Sequence, residues 1–233
     1  MKILKKTLRW IVVAFFASTI LSVVALRFIP VVVTPLMLIR CYQQLKAGEE
    51  LKLSHDWEPL ENISDQLPIA VMASEDANFL RHHGFDYKAI EKAVERNYKH
   101  PKKRKLGAST ISQQTAKNVF LWPGRTWLRK GLEVYFTVLI ELMWPKERIM
   151  EVYLNSIEMG DGIYGAEAVA DAHFNTTAKE LTKAQCALIA ATLPNPRKFS
   201  SKNPSAYMLK RQSRIMREMK YVERMTTSRT AAN

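Results

Sequence analysis

The sequence predicts an all-α domain carried behind one N-terminal transmembrane helix. Three observations predict it. Glycine is sparse, 8 in 233 residues, too few for the many tight turns of a β-sandwich or barrel. From residue 64 onward, apolar residues recur at helical spacing behind good capping residues. Residues 10–26, WIVVAFFASTILSVVAL, carry no charge at all. The composition, 47% apolar and 24% charged, is that of a globular chain and excludes a mainly disordered one. Two cysteines cannot build a disulfide scaffold or a four-cysteine zinc site. Cys41 and Cys186 have no obvious partner in sequence and read as structural.

The elements follow in order. Residues 1–9 form a basic tail with Lys2, Lys5, Lys6 and Arg9. The apolar run 10–26 is near the lower limit for a spanning helix, and the basic flank orients the N-terminus to the cytoplasm. A cleaved signal peptide would have a shorter apolar region and a small-residue cleavage site. Ala25-Leu26-Arg27 is a poor match, so a retained anchor is expected. Residues 27–56 are a membrane-proximal segment. Pro30 and Pro35 disfavour a second span there, and the segment is expected to lie on the membrane face or pack on the domain. Ser64 can cap a helix through about Phe79, and Asp86 one that begins at Tyr87. Ser109 can cap STISQQTAKNVF. Residues 126–143 make a strongly apolar helix, and Pro145 suits the first turn of the next. Residues 160–167, GDGIYGAE, read as a loop. Thr182 and Gln185 make a capping box. A basic amphipathic helix over about 204–224 precedes a tail, 226–233. The domain proper is expected to span 57–225.

The net charge of +13 calls for an anionic partner such as a membrane surface, nucleic acid or a phosphorylated substrate. The charge sits in blocks. Residues 81–130 hold 13 Lys/Arg against 3 Asp/Glu, and residues 131–196 hold 4 against 9, so an anion site belongs in or near the first block.

Three constellations within the domain can carry chemistry. Glu75 and Asp76 follow the nearly uncharged IAVMAS. A carboxylate at the end of an apolar helix is a candidate for a raised pKa, as a general base near neutral pH requires. Asp76 points to another face and equally suits a cap or a partner for Arg81. The run GASTISQQTAKN, 107–118, gives Gln114 and Lys117 one helix face, which also suits an ordinary polar surface. Arg129, Lys130 and Glu133 could be a simple intrahelical ion pair. They could also grip a diphosphate while keeping a carboxylate ionised. No HExxH occurs, so zinc is not indicated. Together these suit an enzyme that breaks a sugar–diphosphate bond at a bilayer surface.

Four ordered motifs then resemble the peptidoglycan glycosyltransferases, family 51, related to the first domain of bifunctional penicillin-binding proteins. They are Glu75-Asp76-x-x-Phe79-x-x-His82-x-Gly84; Gly107-Ala108-Ser109-Thr110-Ile111-Ser112-Gln113-Gln114-x-x-Lys117-Asn118; Arg129-Lys130-x-x-Glu133; and Lys146-x-x-Ile149-x-Glu151-x-Tyr153-Leu154-Asn155. The resemblance runs from about residue 57 to 205, and no transpeptidase region is expected after it. It implies a lysozyme-like helical fold with a membrane-proximal lobe. It implies polymerisation of lipid II into β-1,4-linked glycan with inversion and release of undecaprenyl diphosphate. By motif, Glu75 would be the general base, Lys117 and Arg129 would bind the donor diphosphate with Lys130 in support, and Glu133 would organise that site. Asp76, Thr110, Gln114 and Asn118 would shape the substrate cleft. Phe79 and His82 match the motif as substrate-site residues that also suit packing. The resemblance requires no cofactor and leaves open a divalent cation, Mg or Mn, at the diphosphate. Moenomycin is the family's donor-site inhibitor.

The implied partners are lipid II, the growing glycan, inner-membrane lipids and other cell-wall or cell-division proteins, with no nucleic acid. The implied location is a bacterial inner membrane, crossed once, with the catalytic domain in the periplasm. The basic loop Lys102, Lys103, Arg104 and Lys105 suits anionic headgroups. Two other readings are a lysozyme-like hydrolase, which needs no diphosphate grip, and a non-catalytic basic scaffold.

Overall fold

The computed structural model describes residues 2–103, 105–124 and 126–225. The expected tail 226–233 and Arg104 of the basic loop lie outside the described residues. The centre of the fold is a pair of helices that are apolar all round, as enclosed helices must be. In α3, Gln66–Glu75, the residues Leu67 to Met72 are all buried. In α9, Lys183–Thr192, so are Cys186 to Thr192. The two pack together, and α10, Ala206–Glu218, covers both. A second group sets α5, Ile111–Phe120, between α6, Trp127–Met143, and α7, Lys146–Ser156. Phe120 stacks on Phe136 across the α5–α6 contact, their centroids 4.5 Å apart. The remaining helices are α4, Tyr87–Lys99, and α8, Ala166–Phe174.

The helix starts mostly follow the capping chemistry. Asp86 accepts the Ala89 amide at 2.9 Å. Thr182 and Gln185 form the expected box. Two starts differ. The first helix of the domain begins at Gln66 behind Asp65, which makes no side-chain cap bond, because the Ser64 hydroxyl instead donates to the Leu181 carbonyl at 2.8 Å. It ends at Glu75 rather than Phe79, where Asp76 turns to φ −161°. The cap of α5 is Thr110, not Ser109, with Gln113 closing a capping box. The C-terminal helix is also shorter than expected, ending at Glu218.

The expectation of purely helical structure misses a small sheet. Ser54–His55 (β1) pairs in parallel with Ile163–Tyr164 (β3), which pairs antiparallel with Glu158–Gly160 (β2). Three short strands need few turns, and the glycines of 160–165 supply them. Gly162 and Gly165 have φ of +74° and +89°, which other residues rarely adopt.

The N-terminal helix α1 is one piece, Lys2–Leu26, so the basic tail is helical as well. It is the one described helix long and apolar enough to cross a membrane. It is docked on the domain rather than tethered to it. The Thr19 and Tyr135 hydroxyls hydrogen-bond at 2.8 Å, with Phe15 and Phe16 against the same ring. The Trp144 indole donates to the Val23 carbonyl at 2.8 Å. A helix leaves its last carbonyls without intrahelical partners. The Arg148 guanidinium meets this end, donating to Leu26 at 2.9 Å and to Ile29 at 2.6 Å. The chain then turns into α2, Pro35–Ala47, capped by Thr34 with Pro35 in its first turn. Val31 and Met37 are buried in the domain while Phe28, Val32 and Leu38 are exposed.

Candidate active site

Glu75 is the last residue of the buried helix α3, so the core fixes its backbone while its side chain reaches the surface. Its two oxygens face different neighbours. Oε2 accepts the Gln114 amide at 3.2 Å. Oε1 accepts the Ser74 hydroxyl at 3.1 Å and lies 3.8 Å from the Arg211 guanidinium. Gln114 lines one hollow of about 390 Å³, together with Arg40, Lys117, Asn118, Trp122 and Glu158. Ser74 and Arg211 line a second, of about 520 Å³, under α10. Glu75 therefore contacts residues that line both hollows. Behind Gln114 the buried Tyr153 hydroxyl donates to its carbonyl oxygen at 3.3 Å. Burial and the two nearby carboxylates, Glu75 and Asp76, hold the Tyr153 hydroxyl well above the usual tyrosine pKa, so it remains a donor.

Asp76, next in sequence, has a different task. It is buried and accepts both the His82 ring at 3.0 Å and the Ile111 amide at 2.9 Å. It thereby pins the start of α5 to the end of α3. Thr110 caps α5 and donates to the Gly84 carbonyl at 2.7 Å. Phe79 is fully buried, with the Lys146 ammonium 4.5 Å from its ring centre. Lys146 in turn pairs with Glu141, which accepts the Ser112 hydroxyl. Of the residues expected to meet substrate, Asp76, Phe79, His82 and Thr110 thus form the frame behind the cleft, while Gln114, Lys117 and Asn118 line it.

Glu133 is buried on α6 and is claimed by two cations. Arg129 meets it at 2.5 Å and Lys130 pairs with its other oxygen. The intrahelical pair and the cation cluster are one arrangement, as the i, i+4 and i, i+3 spacings allow. Lys117 has no described carboxylate within ion-pair distance. Burial lowers its pKa, Glu133 opposes this, and Arg129 and Lys130 lower it further. An uncompensated, partly desolvated ammonium beside two more cations is a strong anion site. The same residues do not suit a bare dication, since the sole carboxylate among these three cations is already shared by two of them. Among the described residues no group of three His, Cys, Asp or Glu could hold a metal.

Sequence spacing missed three residues here. Arg211 comes from the basic C-terminal block, and only the packing of α10 on α3 brings it to Glu75. Arg40 is visible in sequence merely as the end of an apolar run. Glu158 sits in strand β2, an element the all-helical expectation does not contain.

A partly exposed carboxylate near a group of cations is an arrangement able to accept a proton and to hold an anion. Comparison with known proteins gives the family. Residues 43–220 match the transglycosylase family. A biosynthetic peptidoglycan transglycosylase of Bacteroides thetaiotaomicron is 62% identical over 94% of this chain and 89% of its own length. Relatives of the same description from Bdellovibrio bacteriovorus and Caulobacter vibrioides are 55% and 51% identical, over 91% and 92% of this chain and 85% and 92% of their own lengths. The chain belongs to the transglycosylase family and is a glycosyltransferase.

Proposed function

We propose that the chain is a peptidoglycan glycosyltransferase that polymerises lipid II into β-1,4-linked glycan strands. The names of its relatives support the peptidoglycan substrate. The observation that carries the mechanism is the division between the two glutamates. Glu75 is held by neutral donors and one distant guanidinium, and it can accept a proton. Glu133 is neutralised by Arg129 and Lys130.

In this reading Glu75 takes the proton of the GlcNAc 4-hydroxyl of the acceptor lipid II. The oxygen attacks the MurNAc anomeric carbon of the growing-chain donor. The bond from that carbon to the diphosphate oxygen breaks, with inversion, and the electron pair leaves on undecaprenyl diphosphate. Lys117 and Arg129 stabilise the charge that develops on the diphosphate with Lys130 in support, and Glu133 holds Arg129 and Lys130 in place. Substrates on either side of Glu75 would fill the two hollows. A hydrolase would use a pair of working carboxylates and water, and neutralised Glu133 is a poor second member.

The helix α1 serves as a single-pass anchor with its basic end in the cytoplasm and the domain outside the inner membrane. Its uncharged residues 10–26 span about 25 Å at 1.5 Å per residue, near the lower limit for a bilayer core. The exposed Phe28, Val32 and Leu38 rest at the same surface, where a polyprenyl substrate is found.

The test is a gel assay of the purified full chain in detergent with labelled lipid II, with and without moenomycin. A ladder of glycan strands suppressed by moenomycin is expected. Release of soluble fragments from finished peptidoglycan without a ladder would replace the reading with the hydrolase.

A further inference from the structure

The 390 Å³ cleft that Lys117 lines carries a second cation, Arg40. Arg40 projects from α2, and Glu158 from β2 stands 4.0 Å from its Nε. That distance is the outer limit of an ion pair and too long for a hydrogen bond. The Nε atom is buried and has no hydrogen-bond partner among the described residues. One terminal nitrogen donates to Gln43 at 3.0 Å, within the same helix. The guanidinium is thus loosely held and under-satisfied, and it lines the same hollow as Lys117. Arg129 has a buried Nε without a described partner as well, but its terminal nitrogen is held to Glu133 at 2.5 Å, so what sets Arg40 apart is the length of its ion pair.

Glu158 is also under-committed. Its other oxygen accepts only the Gly162 amide at 3.4 Å. Burial raises its pKa, with Arg40 the chief opposing influence. A guanidinium beside a single, distant carboxylate is free to turn to a diphosphate, two of whose oxygens can take its planar fork of donors.

We propose that Arg40 is a further substrate-binding residue: it meets, from α2, the anionic diphosphate that Lys117 meets from α5, and Glu158 holds it in the free enzyme. This rests on the glycosyltransferase reading above. Glu158 competes with the substrate for Arg40, so the two residues act in opposite directions. Loss of Arg40 weakens substrate binding, and loss of the Glu158 charge strengthens it. If the pair were merely a tie between α2 and the sheet, removing either partner would have the same effect.

The experiment measures polymerisation of lipid II by the full chain in detergent, with wild type, Arg40→Ala, Arg40→Lys, Glu158→Gln and the double variant. Melting temperatures are recorded in parallel, with inorganic pyrophosphate as competing anion. Arg40→Ala is expected to raise KM roughly tenfold, the worth of a hydrogen bond to a charged group, and to weaken pyrophosphate inhibition in proportion. Arg40→Lys should recover part of both, because it keeps the charge without the fork. Glu158→Gln should lower KM, and the double variant should keep the elevated KM of Arg40→Ala. An unchanged KM in Arg40→Ala, or KM shifts of the same sign in Arg40→Ala and Glu158→Gln, would overturn the proposal. Either result with an active wild type leaves the glycosyltransferase reading intact. A wild type that makes no polymer would remove that reading instead.

Discussion

The side-chain amide of Gln114 donates to the Glu75 carboxylate at 3.2 Å, and this bond joins the helix that ends in the proposed base to the helix that carries Lys117. Base and anion site are thereby set on two elements that Asp76 already ties together through the Ile111 amide. The spacing of Glu75 and Lys117 is built into the bonds that tie α3 to α5.

Replacing Glu75 with Gln keeps the shape of the side chain and removes the proton acceptor. Polymerisation should fall by about 10²–10⁴-fold, the usual weight of a general base, with the melting temperature little changed. Lipid II turnover and a thermal melt on the same preparation check this. A folded variant with near-native turnover would remove Glu75 from the mechanism.

Removing Arg129 leaves buried Glu133 with only Lys130, whose side chain is 41% exposed. Breaking a buried pair from one side costs about 3–5 kcal/mol. Arg129→Ala should therefore lower stability as well as turnover, and Lys130→Ala should lower both less. Urea denaturation of the two variants, beside turnover at limiting lipid II, gives the comparison. Equal losses would mean that burial of Arg129 is not what matters.

Lys117 gives a pH dependence whose sign follows from burial. The folded chain holds its proton less tightly than the unfolded chain, since its pKa lies below the ordinary 10.5. At pH below the lowered value the fold carries the penalty of a buried charge, and the penalty is relieved as pH rises through that value toward 10.5. A Lys117→Met variant should be inactive yet more stable than wild type at pH 7, with the gap narrowing in alkaline solution. Urea melts at pH 7 and pH 10 test it, and a gap that stays constant would contradict the assignment.

Gly165 cannot accept a side chain. Its φ is +89° and a Cβ would lie 2.8 Å from the Asn155 carbonyl oxygen. Asn155 also binds the His55 ring and the backbone at Glu58. Gly165→Ala should cost about 1–3 kcal/mol of strain and lower the melting temperature. An unaltered melt would show that this turn relaxes freely.

Arg148 bridges the end of α1 to Glu151 and stacks on Trp57 at 5.1 Å. Arg148→Ala removes the donors to Leu26 and Ile29 and should free the junction. Trypsin cleavage after Arg27 in detergent should then accelerate severalfold. Cleavage at the wild-type rate would mean that Trp144 and Tyr135 hold the anchor without it.

The helices and most of their caps were readable in the sequence because local chemistry decides them. Asp86, Thr182 and Gln185 are cases where the hydroxyl, carboxylate or amide has a backbone partner within three residues. Ser64 misled because its better partner, the Leu181 carbonyl, lies 117 positions away. The site was legible where motifs are contiguous, as at Arg129, Lys130 and Glu133. It was not legible where packing makes the neighbour, as with Arg211 beside Glu75 and Arg40 beside Glu158. Spacing put Asp76 on another face than Glu75 but did not show its partners, which are His82 and the Ile111 amide rather than Arg81. Those partners follow from where α3 ends.

Tyr135 grips Thr19 of α1, and two residues earlier on the same helix Glu133 holds Arg129 and Lys130. With α1 as the proposed anchor, the reaction site and the membrane share one stiff element with no slack between them. A bilayer of different thickness, which tilts a spanning helix, would lever α6 and so re-aim the cations that receive the leaving group. Under the proposed function, polymer synthesis would then respond to the physical state of the lipid around it, without any soluble signal.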